Sequence, residues 1–145
     1  MMQTSPAGRA LIEKFEGLRL TAYRDTGGIW TIGYGHTNGV TPGMSINQPQ
    51  ADQFLKEDLA SAAACVNLHC DAQLTQNQFD ALVSFAFNIG NGAFASSTLL
   101  RLLNADDYTG AAGQFGRWVH DASGNVEPGL VTRRADERAL FEKPL

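Results

Sequence analysis

Two strand-like runs, "LRLTAY" and "IWTIGYG", flank a Thr-Gly-Gly turn, and most of the remaining chain carries a helical pattern. Aromatic and β-branched residues favour strands, and a three-residue loop with glycine closes a hairpin. The loop length sets the register. Asp25 then faces Ile29, and Tyr23 faces Thr31. Opposed residues point to the same side, so Tyr23, Asp25 and Thr31 share one face. Trp30 falls on the other face and reads as packing. Two strands alone are barely stable in water, so the hairpin must lean on helices.

Those helices are legible from their caps and apolar spacing. Ser5 and Pro6 open the first, Leu11, Ile12 and Phe15 form its stripe, and Gly17 stops it. After a turn-rich "HTNGVTPGMS" that reads as loop or short strand, "QPQADQFLKEDLASAAACV" forms a long helix with Phe54, Leu55, Leu59 and Ala62 inward. Thr75 caps "TQNQFDALVSFAFNIG", with Phe79, Leu82, Val83 and Phe87 at helical spacing and Gly90 at the end. "SSTLLRLLN" and "DYTGAAGQFGRWVH" read as two short helices, "SGNVEPG" as a loop, and "LVTRRADERALFE" as the last helix. The pattern is α+β, a small sheet region at about 18–46 and a helical region made of about 47–145 plus the N-terminal helix. With 145 residues and no linker or repeat, residues 1–145 read as a single domain.

Composition removes some classes of function. The net charge of −4 is the wrong sign for a general nucleic-acid binder. No run is long enough to span a membrane. The opening "MMQTSPAGRALIEKFEGL" lacks the apolar core of a signal peptide, so a cytosolic start is expected. Cys65 and Cys70 do not have zinc-site spacing and read as free thiols. The glycines of "GYGHTNG" lack the spacing and the following helix of a dinucleotide site; a strand that lets another group approach its backbone is the better reading. His36 has no ligand partners in view and reads as structural or cleft-lining. Trp118 reads as core.

The carboxylates carry the chemistry. Glu16 sits at the negative end of a helix between Phe15 and Leu18, surroundings that favour its protonated form. A carboxylic acid kept protonated suits a general acid. If helix end and hairpin meet at one cleft, Glu16, Asp25 and Thr31 line it. Two carboxylates and a hydroxyl suit glycoside hydrolysis: one protonates the leaving oxygen, the other serves the incoming water, and the hydroxyl holds that water.

Glu16, eight residues, Asp25, five residues, Thr31, set in "FEGLRLTAYRD" and "TIGYGHT", resembles the catalytic arrangement of the phage-type lysozymes, glycoside hydrolase family twenty-four. "FDALVSFAFNIG" is similar to that family's central helix, and "RWVHDASGNVEPGLVTRRADERALF" to the C-terminal signature of its lambdoid branch. The resemblance implies a lysozyme-like fold, a small β lobe joined by a long helix to a helical lobe with the cleft between. It also implies cleavage of the β-1,4 bond between N-acetylmuramic acid and N-acetylglucosamine in peptidoglycan, inversion at the sugar, and no cofactor or metal. Phe87 and Asn88 become cleft residues on this view, Tyr23 a substrate contact, and Arg133 or Arg134 a partner of Glu16. With Arg138 and Lys143, these arginines could also make a local basic patch for an anionic wall. The expected setting is a monomer held in the host cytoplasm until a holin admits it to the wall, without membrane insertion itself. Two competing readings are a wall-binding module without catalysis and a lytic transglycosylase, which uses one glutamate and leaves an anhydro product.

Overall fold

The computed structural model describes residues 1–145. Helix α1, Pro6–Glu16, starts where expected. The Ser5 hydroxyl accepts from Gly8 N–H at 3.2 Å and satisfies one of the orphan donors of the first turn. That same Ser5 is clasped by Asp80, whose carboxylate accepts from Ser5 N–H at 3.0 Å, from the Ser5 hydroxyl, and from Gln76 Nε2 at 2.8 Å. Gly8 makes the clasp possible: a Cβ there would lie 2.6 Å from Asp80 Cγ. The start of α1 is thereby fixed against α3.

The hairpin forms in the expected register. Strand β1, Arg19–Arg24, runs antiparallel to β2, Trp30–Gly33, with Tyr23 opposite Thr31. Asp25 N–H donates to Ile29 O at 2.9 Å, which closes the Thr-Gly-Gly loop. The pairing slips between Arg19 and Tyr23, a bulge that sequence spacing did not signal. The following turn-rich segment returns to β1 through a single bridge between Thr21 and Ser45 rather than a full strand. Ile32, Ile46 and Ala51 form a small apolar cluster beneath the hairpin.

Helix α2, Gln48–His69, has the reciprocal Asn47/Gln50 capping box and runs for 22 residues. It packs against β2 and against α3, so it links the sheet to the helices. Leu55, Leu59, Ala62 and Val66 line its buried side, while Phe54 is only half-buried. Helix α3, Gln76–Ile89, is buried continuously from Phe79 to Ala86, the mark of a central core helix. It packs against α1, α2 and α7.

Two details depart from the sequence pattern. A five-residue helix α4, Asn91–Ala95, follows Gly90 directly and is too short to show periodicity. Helix α5 is Thr98–Asn104. The stretch read as one further helix breaks into α6, Tyr108–Ala112, and a single 3-10 turn at Phe115–Arg117, because Gly110, Gly113 and Gly116 lower its helical propensity. Helix α7, Pro128–Glu142, closes the chain and packs on α3. Trp118 lies edge-to-face with Phe85 at 5.7 Å and belongs to the core, as expected. Cys65 and Cys70 are both free, and burial raises both thiols, which keeps them unreactive.

The Asp80 clasp yields a stability prediction. Asp80→Ala leaves two Ser5 donors and the Gln76 amide short of an acceptor, and should lower unfolding free energy by about 2–4 kcal/mol in urea titration. Thiol reductant should leave the same midpoint unmoved. An unaltered midpoint in Asp80→Ala would mean that the clasp contributes nothing.

Candidate active site

Glu16 is the last residue of α1, and the chain turns away at Gly17. Its side chain is 18% exposed and reaches a cleft of about 330 Å³ lined by Glu16, Gly35, Thr37, Asn38, Asp58, Phe87 and Asn88. The turn at Tyr34 and Gly35 meets it there, because the strand expected to run through Gly35 ends at Gly33. A Cβ on Gly35 would sit 2.7 Å from Glu16 Oε1, and Gly35 has φ +85°, so only glycine fits without strain. The group that approaches this backbone is the carboxylate itself. A larger hollow of about 470 Å³ between the N-terminal residues and α2 is lined mostly by Met, Leu and Ala side chains. It holds no carboxylate, whereas the smaller cleft holds Glu16 and Asp58.

Helix α7 supplies the counter-charge. Arg133 Nη1 donates to Glu16 Oε2 at 2.6 Å, so of the two arginines it is Arg133 that meets Glu16. Arg133 also donates through Nε to Glu137 Oε2 at 3.3 Å and through Nη2 to the Ser84 carbonyl at 3.3 Å. Arg134 Nη2 donates to Asn88 Oδ1 at 2.7 Å and to Glu137 Oε2 at 3.3 Å. Its Nε lies 2.7 Å from Glu137 Oε1, an ion-pair contact without hydrogen-bond alignment. The Ser84 hydroxyl completes the set, donating to Glu137 Oε2 at 2.5 Å. Burial pushes the Glu137 carboxyl up against the pull of both arginines. Burial likewise pulls Arg134 down to about 10, which still leaves it charged at neutral pH.

Burial overturns the basic-patch expectation. Arg133 is 3% exposed and Arg134 1%, and Arg138 is paired with Glu142 at 2.9 Å. Three of the four cations proposed for a wall-binding patch are therefore already neutralised. The sequence reading missed Glu137, although a Glu three and four residues beyond two arginines is an ion-pair spacing on a helix. It also missed Asp58. That residue lines the cleft and accepts from or pairs with His36 Nδ1 at 2.8 Å, while His36 is buried and stacks on Phe54 at 4.1 Å. The signal for Asp58 was faint, since an isolated acid on a long helix usually faces water.

Phe87 is half-buried, packing on the core and lining the cleft at once. The hairpin residues form a separate group. Asp25 Oδ1 accepts from Gly27 and Ile29 N–H, both at 2.9 Å, leaving Oδ2 without a protein partner. Thr31 is 4% exposed, and its hydroxyl donates to Ile29 O at 2.9 Å. The Tyr23 ring lies beneath the Arg19 guanidinium at 4.3 Å. Tyr23, Asp25 and Thr31 do not line the 330 Å³ cleft, and no hydrogen bond joins them to Glu16. The cleft thus gathers Glu16, Phe87 and Asn88, with Arg133 and Arg134 buried behind Glu16 and Asn88 rather than lining it, and Tyr23, Asp25 and Thr31 apart on the hairpin.

The cleft therefore presents two carboxylates, Glu16 at the end of α1, braced by Arg133, and Asp58 on α2. Residues 13–137 match the family model described as phage lysozyme. The chain is 47% identical over 144 residues to the endolysin of Acyrthosiphon pisum secondary endosymbiont phage 1, which covers 97% of this chain and 99% of that protein. It is 49% identical over 143 residues to the endolysin of Bacillus phage PZA, covering 97% of this chain but 55% of that longer relative. Among solved structures, the muramidase domain of SpmX from Asticaccaulis excentricus superposes with a TM-score of 0.93 at 43% identity, over 99% of this chain and 100% of that one. The chain belongs to the phage lysozyme family, and its mostly helical fold with a two-stranded sheet is lysozyme-like.

Gly35→Ala tests the approach of Glu16 to the turn after β2. It should cost about 1–2 kcal/mol of stability for the left-handed backbone and depress wall-clearing activity further, because the methyl displaces Glu16. Gly124→Ala is the control: it has φ +84° and nothing within 4 Å of the added methyl. Equal activity in the two variants, at equal stability, would show that contact with Gly35 is irrelevant to the chemistry.

Proposed function

We propose that the protein is an endolysin that hydrolyses the β-1,4 bond between N-acetylmuramic acid and N-acetylglucosamine in peptidoglycan, and so lyses the host cell. The observation that carries this reading is the state of Glu16: Oε2 is held by Arg133, while Oε1 faces the cleft against the side-chain-free backbone of Gly35. One oxygen is left without a charged partner. The family relationship supports the same reading.

Glu16 acts as general acid and gives its proton to the glycosidic oxygen as the bond to the anomeric carbon breaks. A water attacks that carbon from the opposite face and passes its proton to Asp25. Thr31 holds the water as an acceptor, because its own hydrogen goes to Ile29 O. Asp25 presents Oδ2, since Oδ1 is occupied by two backbone donors. Tyr23, Phe87 and Asn88 contact the glycan, and Arg133 and Arg134 support the cleft. No helix is long and apolar enough to cross a membrane. The protein acts on the wall as a monomer after release from the host cytoplasm, with a holin giving it access to the periplasm.

Glu16→Gln keeps the shape but carries no transferable proton. It should lose about 10²–10⁴ in turnover of purified cell walls while melting normally. A folded Glu16→Gln with near-native turnover would remove Glu16 from the mechanism.

A further inference from the structure

Asn88 lies in the last turn of helix α3 at the cleft, with one end of its amide held and the other free. Its Oδ1 accepts from Arg134 Nη2 at 2.7 Å, and its Nδ2 makes no hydrogen bond within the protein. An asparagine amide has two faces of opposite polarity, and which one points outward is ordinarily decided by its neighbours. A guanidinium has five donors and no acceptor. It can therefore only take the oxygen, which turns the NH₂ toward the cleft.

Arg134 is itself held. Glu137, fully buried, contacts it through both carboxylate oxygens, at 2.7 and 3.3 Å. The Arg134 guanidinium also lies over the Phe85 ring at 5.2 Å. The Ser84 hydroxyl and Arg133 share the Glu137 carboxylate, so Glu137 has little freedom to turn. A chain of contacts thus runs from a buried carboxylate through one cation to a surface amide.

We propose that Glu137 and Arg134 are positioning residues that fix Asn88 with its NH₂ turned into the cleft, making this subsite a donor that takes an acceptor oxygen of the sugar. This rests on the muramidase reading for the identity of the sugar. The acetamido carbonyl is the strongest neutral acceptor such a sugar carries. The arrangement explains why two charged groups are buried behind an uncharged contact residue: they set its polarity.

The test reverses that polarity. Asn88→Asp has the same shape and still satisfies Arg134, yet offers oxygen where the NH₂ stood. Binding of the N-acetylglucosamine hexamer is followed by NMR titration, and kcat and KM are measured on soluble wall fragments. Asn88→Asp should raise the dissociation constant and KM by about tenfold, the value of one lost hydrogen bond, with kcat much less affected. Glu137→Gln should weaken binding in the native background but add little to Asn88→Asp, because both act through one amide. If Glu137→Gln fails to fold, the double variant Arg134→Met/Glu137→Gln, which removes opposite charges together, takes its place in the same cycle. Native binding by Asn88→Asp, or an additive effect of Glu137→Gln in the two backgrounds, would overturn the proposal, as would a native protein that does not bind the hexamer. A native protein that binds the hexamer normally but cleaves no wall would instead sink the muramidase reading alone.

Discussion

The fold turns on a buried carboxylate set between two buried guanidiniums. Glu137 is fully buried on α7, and Arg133 and Arg134 close over it from the same helix. Taking such ions out of water costs several kcal/mol each, and their mutual attraction only offsets this when geometry and hydrogen bonding are good. Here the hydrogen bonds come from Ser84 on α3, while the outward ends of the arginines reach Glu16 on α1 and Asn88 at the end of α3. Three helices distant in sequence are therefore registered through one charged cluster. An apolar cluster could have held the same helices together, but it could not have presented a cation to Glu16.

The helix framework places this cluster. Ser5 and Asp80 clasp the start of α1 to α3, so the opposite end of α1 delivers Glu16 at a fixed height beside the cleft. The long α2 carries Asp58 to the cleft and at the same time supports β2. Gly35 lets the turn after β2 close on Glu16 without a side chain between them. In the proposed mechanism the helices provide the proton and the hairpin provides the seat for water, two tasks kept on separate elements.

Much of this was readable from the chain. The Ser5 and Thr75 caps and the Thr-Gly-Gly loop marked where elements start and turn, because caps and turns depend on local chemistry. The pairing of Tyr23 with Thr31 followed from loop length alone. What stayed hidden depends on contacts across the chain. The burial of Arg133 and Arg134 could not be seen, since two arginines on a polar helix ordinarily face water, and the expected basic patch failed for that reason. The role of Glu137 and the cleft position of Asp58 required the packing of α7 on α3 and of α2 under the strand. The bulge in β1 and the break between α6 and the 3-10 turn are likewise set by neighbours and glycine content rather than by period.

The central claim is that one acid at the end of α1 and a water on the hairpin cleave the bond in a single displacement. The most direct test is the configuration of the product as it first forms, read by proton NMR on soluble wall fragments before the anomers equilibrate. Direct attack by water on a β-linkage predicts the α-anomer. Release of the β-anomer would mean that a protein group had first bonded to the sugar, and an anhydro product would mean that no water entered at all; either result contradicts the account.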